Sequence, residues 1–155
     1  MDTYVFTHIK FIKNHAQKAG GAIFAHDSTV GIKSRTSVIF SGNIGYKGGA
    51  LALIDDSFIK LKAPIKVYFL KNHAEHSGGA IYVKDYRVES FSKGSLPLCF
   101  FQIEDSHLDS PLEELSIMLE NNTAQHAGSA LYGGWVDYCQ ANIGLLDTAY
   151  GTKVF

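Results

Sequence analysis

The chain has 155 residues, 46% of them hydrophobic and 19% charged, with a formal net charge of −1. This balance excludes intrinsic disorder as the main state and leaves no basic field to capture nucleic acid or anionic lipid. The length suits a single domain over residues 1–155, and no apolar run approaches the roughly 20 residues a membrane-spanning helix needs.

The opening residues, MDTYVFTHIKFIKNH, carry an acid early and do not read as a signal peptide. By Phe11 they have entered a phrase that then recurs. It first reads Phe11-x-x-Asn14-x-Ala16, followed by Gly20-Gly21-Ala22-Ile23. It returns as Phe40-x-x-Asn43 with Gly48-Gly49-Ala50-Leu51, and again as Phe69-x-x-Asn72-x-Ala74 with Gly78-Gly79-Ala80-Ile81. The last copy is altered: Leu119-x-x-Asn122-x-Ala124 with Gly128-Ser129-Ala130-Leu131. Asn14, Asn43 and Asn72 are 29 residues apart, and 50 residues separate Asn72 from Asn122. Asp27, Asp56 and Asp85 keep the same interval of 29. The glycine pairs are spaced 28 and 30 apart, which reads as one residue moving from a turn into a strand in the second copy. Self-similarity at such a period is the mark of a solenoid, in which each unit buries its apolar face against its neighbours.

Within each unit the apolar residues alternate. Ile9 and Phe11, Val38 and Phe40, Val67 and Phe69, and Ile117 and Leu119 flank positions that vary freely: Lys10, Ile39, Tyr68 and Met118. Period two means a strand with one buried face. Alternation resumes after the glycines with Ile23 and Ala25, Leu51 and Leu53, and Ile81 and Val83. A third short strand follows the Asp marker, at Val30-x-Ile32 and Ile59-x-Leu61, with Val88 opening its counterpart in the next copy. The expected fold is all-β: a right-handed, single-stranded parallel β-helix of about four coils, with three strands per coil. An extra 21 residues, falling within about 89–112, interrupt it; the Ser, Pro97 and Pro111 there mark loop, while LPLCFFQI can lay down a buried strand. No polar cap is evident at either end, which reads as part of a longer array whose neighbouring coils are its first partners.

The turn residues have mechanical reasons. Gly20, Gly21, Gly48, Gly49, Gly78, Gly79 and Gly128 supply backbone freedom where the chain corners. Asn14, Asn43, Asn72 and Asn122 tolerate left-handed backbone and, stacked in one column, can bond one another as a structural ladder.

These repeats of GGA[IL] and FxxN resemble the chlamydial polymorphic outer membrane protein repeat, over roughly residues 4–139. A wider resemblance is to right-handed β-helix ectodomains of invertebrate animals. The resemblance implies an extracellular or cell-surface location and an adhesin-like or structural role without catalysis, toward a protein or glycan ligand that it does not identify. The membrane β-barrel of the bacterial members has no counterpart in this sequence.

Several residues are candidates for chemistry, each with a structural alternative. The Asp27, Asp56, Asp85 column could bind calcium as a cofactor, or act on a sugar chain as in pectate-lyase-like polysaccharide lyases and glycoside hydrolases. Its alternative is an Asx-turn, since Ser28 and Ser57 follow Asp27 and Asp56. His76 and His126 share a repeat position and could hold zinc or simply be solvated. Phe24, Ala52, Tyr82 and Tyr132 form a prospective outward stripe, with Trp135 nearby. Cys99 and Cys139 could form a disulfide or remain free thiols, and Asn121 opens a glycosylation sequon, Asn121-Asn122-Thr123. A lone 29-residue unit has no neighbour to bury its face, so a peptide spanning one repeat should show no folded circular dichroism spectrum. A cooperative thermal transition from such a peptide would contradict the solenoid reading.

Overall fold

The computed structural model describes residues 5–84, 100–104, 115–133 and 146–147. All pairings among its strands are parallel, and they build four sheets, so each of the first three coils has four strands where the alternation of apolar residues indicated three. The first coil consists of β1 (Thr7–Ile12), β2 (His15–Ala19), β3 (Ile23–His26) and β4 (Thr29–Ile32). The second repeats it with β5 (Thr36–Ser41), β6 (Ile44–Lys47), β7 (Leu51–Ile54) and β8 (Phe58–Lys62). The third has β9 (Ile65–Leu70), β10 (His73–Ser77), β11 (Ile81–Lys84) and β12 (Phe101–Glu104). The fourth has β13 (Leu115–Glu120), β14 (Thr123–Ala124) and β15 (Leu131–Tyr132), and β16 (Leu146–Asp147) pairs beyond β13. Parallel crossovers of this kind are right-handed, and the chain is a right-handed parallel β-helix.

The unexpected strand is the one after each Asn. Its covered positions are Ala16, Gly45, Ala74 and Ala124, too small to mark a hydrophobic alternation, and its other residues are mostly polar. The 28 and 30 spacings of the glycines also have their explanation here. Coils one and three carry a bulge in this strand, so that Ala16 to Ala19 and Ala74 to Ser77 both face Gly45 to Lys47. The second coil lacks that residue and recovers it in the turn after β7. The shift is therefore from strand to turn, the reverse of the sequence expectation.

Inside the tube, equivalent side chains stack in rows. The rings of Phe11, Phe40 and Phe69 lie parallel, with centroids 4.9 and 4.8 Å apart, a spacing close to the distance between neighbouring strands. Leu119 continues that row, while Ile23, Leu51, Ile81 and Leu131 form another. Val38, Phe40, Leu53, Leu61, Ile65, Phe69 and Ile81 are all buried. At the first coil the core opens into an apolar hollow of about 480 Å³ beside Ile9, Phe11, Ile23 and Val30.

The insertion is divided. Phe101 pairs with Ile59, and Leu115 with Ile65, so the extra residues enter between Lys84 and Phe101 and between Glu104 and Leu115. The strand within LPLCFFQI thus takes the place expected to open at Val88, which lies outside the described residues. Phe100 and Phe101 are buried, their rings 4.6 Å apart, and join the core.

The corners are set by glycine for two distinct reasons. The first glycine of each pair, Gly20, Gly48, Gly78 and Gly128, has positive φ between 60° and 71°. The second needs its missing side chain: a Cβ on Gly49 would stand 2.1 Å from the Gly79 carbonyl oxygen of the next coil. Gly31, by contrast, faces open space. Gly49→Ala should cost about 2 kcal/mol or more in urea unfolding, whereas Gly31→Ala should be neutral or stabilising by about 0.5 kcal/mol. Equal effects of the two would contradict this account of the corner.

Candidate functional site

The asparagines at the first corner form a continuous chain of hydrogen bonds. Asn14 Nδ2 donates to Asn43 Oδ1, Asn43 Nδ2 to Asn72 Oδ1, and Asn72 Nδ2 to Asn122 Oδ1, each at 2.9 Å. Each acceptor oxygen also takes the backbone N–H of the preceding asparagine at 3.0 Å. The second amide hydrogen turns to a carbonyl one coil back: Asn43 to Phe11, Asn72 to Phe40 and Asn122 to Phe69. Asn43 and Asn72 are fully buried, with their polar atoms accounted for by this network. None of the four asparagines is left-handed. That conformation falls to the residue before, at Lys13, Gly42, Lys71 and Asn121, with φ between 53° and 63°. Asn121 itself is exposed, and its Nδ2 donates to Glu120 Oε1 at 3.2 Å.

The turn between the third and fourth strands departs from the column read from spacing. Register aligns His26 with Ile54 and Thr29 with Phe58, which leaves two residues in the first turn and three in the second. Asp27 and Asp55 are the equivalent pair: both have positive φ, at 47° and 58°, and their amides donate to Ile54 and Lys84 carbonyls. Asp56 is the additional residue, and its N–H makes a long 3.5 Å contact to Asp27 Oδ1. Ser28 and Ser57 pin the turns, donating from Oγ to the His26 and Ile54 carbonyls at 2.7 Å, and Ser28 N–H donates to Ser57 Oγ. His26 joins the carboxylates, with Nε2 2.6 Å from Asp55 Oδ2 and 3.7 Å from Asp27 Oδ2. Asp85 lies outside the described residues.

A second cluster runs along the outside of the sheet containing β6 and β10. The rings of Tyr46 and His76 are 5.3 Å apart and those of His76 and His126 are 4.8 Å apart. His126 N–H donates to the His76 carbonyl at 2.9 Å, and His76 Nδ1 is 2.6 Å from Ser77 Oγ. Tyr46 is 42% exposed, and His126 is exposed beside it. The coil thus brings together the two histidines that share a repeat position and adds Tyr46 to them. Sequence reasoning passed over Tyr46 because the shortened strand displaces it from the repeat register.

The prospective stripe after the glycine pairs is corrected by burial. Only Phe24 is well exposed, at 57%; Ala52 and Tyr82 are buried. Tyr82 instead stacks on Tyr132 at 5.5 Å, with Lys47 Nζ 5.3 Å from its ring. Trp135, Cys99 and Cys139 lie outside the described residues.

Comparison with known families finds the Chlamydia polymorphic membrane protein (Chlamydia_PMP) repeat at residues 8–26 and 66–84. Each match runs from the strand before the Asn corner to the strand after the glycine pair, in coils one and three. The second coil, shorter by one residue between Asn43 and Gly48, lies between them. No curated protein and no solved structure matches the chain.

Asn72→Ala would strand the Asn43 amide groups and the Phe40 carbonyl in the interior, at roughly 1–3 kcal/mol for each group left unsatisfied. Asn14 is exposed and has an interior neighbour on one side only, so Asn14→Ala should cost about 1 kcal/mol. Chemical denaturation of both variants checks this order, and an Asn72→Ala loss no greater than that of Asn14→Ala would contradict it.

Proposed function

We propose that this β-helix is a non-catalytic module of a surface or extracellular protein, and that it acts as an adhesin-like binding element. The observation that supports the reading is the outward column of Tyr46, His76 and His126. Aromatic and imidazole rings set on a rigid sheet offer contact area at little entropic cost, suited to the apolar faces of a glycan or to a protein surface. Ile44, 37% exposed on the same strand as Tyr46, widens the apolar part of that surface. The shared repeat with polymorphic membrane proteins supports the location. Among the described residues no helix is long and apolar enough to cross a membrane. Asp27 and Asp56, which would serve the carbohydrate-active alternative, sit in the corresponding turns of successive coils, where the Asp56 N–H meets Asp27 Oδ1.

The test is binding of the full chain to immobilised glycans and extracellular-matrix proteins. Tyr46→Ala combined with His126→Ala should reduce capture at least tenfold while leaving the melting temperature within a few degrees. Binding that survives the double substitution would remove the column from the interface. Release of reducing sugar from a polysaccharide panel would overturn the non-catalytic reading.

A further inference from the structure

We propose that His26, Asp27 and Asp55 form a binding site for one divalent first-row transition ion, with zinc the best fit. The three residues occupy equivalent corners of two successive coils, and one ligand atom from each falls within 4.8 Å of the others. The register shift creates this grouping. Asp55, rather than Asp56, takes the place above Asp27, and the long Asp56 N–H contact at Asp27 Oδ1 leaves Oδ2 toward His26.

A separate observation points to a cation. Asp55 Oδ1 is shielded from solvent and has no hydrogen-bond partner, the one such side-chain atom among the described residues. A carboxylate oxygen shielded from solvent without a donor is costly, and an ion held by both oxygens of Asp55 would satisfy it. Its other oxygen, Oδ2, lies 2.6 Å from His26 Nε2, the distance of a hydrogen bond donated by the imidazole N–H. In the metal-bound state the ion would replace that proton, held by Nε2 and the carboxylates. Stacked Asp27 and Asp55 carboxylates repel, and the ion would relieve that too.

The donor set selects the ion. Calcium takes six to eight oxygen ligands, whereas an imidazole nitrogen with two carboxylates suits zinc and its neighbours. The serine contacts that pin both turns hold the ligands near one another before an ion arrives.

Isothermal titration of the full chain with zinc chloride should give one site, with cobalt(II) producing visible absorption bands at the same stoichiometry. His26→Ala and Asp55→Asn should each weaken zinc binding at least tenfold, while His76→Ala should not change it. Zinc should also raise the melting temperature of the parent chain but not of His26→Ala. Absence of a binding heat, binding that survives His26→Ala, binding lost in His76→Ala, or calcium binding tighter than zinc would each overturn the assignment. Circular dichroism of each variant keeps a folding defect distinct from a lost site.

Discussion

The structure depends on one constraint: every coil must lie in register on the next, because no coil has a core of its own. The buried asparagine chain meets that constraint more strictly than apolar packing can. Stacked Phe40 and Phe69 rings tolerate a small slide, but an amide that donates to one coil and accepts from another does not. Hydrophobic burial supplies the attraction between coils, and the amides fix where attraction is allowed to act. A slip by one residue would put Asn43 and Asn72 out of reach of each other and leave several polar groups buried without partners.

The glycine corner works by a complementary exclusion. Where the asparagines require contact, the second glycine of each pair requires that nothing intervene, since the carbonyl of the following coil already occupies the space a Cβ would take. Between these two corners the chain is free to vary. The second coil drops a residue from β6 and restores it at Asp56 without disturbing either corner. The same freedom admits the insertion on either side of β12, whose Phe101 still reaches the core. Variation in length thus spares the two corners, and the chemical groups gather close to where it falls.

Much of this was legible in the residues. The rows of Phe, Leu and Ile at period two marked the strands on both sides of the glycine pair, and the 29-residue interval put the asparagines in one column. The fourth strand escaped because its inward positions are Ala16, Gly45, Ala74 and Ala124, which carry no hydrophobic signal. The carboxylate pairing escaped for a different reason. Spacing favoured Asp56, but spacing cannot say on which side of a turn an added residue falls; backbone pairing of His26 with Ile54 decides it for Asp55. His26 and Tyr46 were invisible as site residues, since neither recurs in the repeat. A periodic reading finds what is shared between coils, whereas the distinctive groups arise where one coil departs from the rest.

Residue-resolved hydrogen exchange on the intact chain tests the register constraint most directly. The backbone amides of Asn43 and Asn72 sit at a corner, where turn amides usually exchange fast, yet here they donate to buried side-chain oxygens of the next coil. They should exchange as slowly as the amides of Val38 and Phe40 in the adjoining strand, through the same global opening. Fast exchange at both asparagines, with slow exchange kept in the strand, would contradict it and leave the stacking to apolar contact alone.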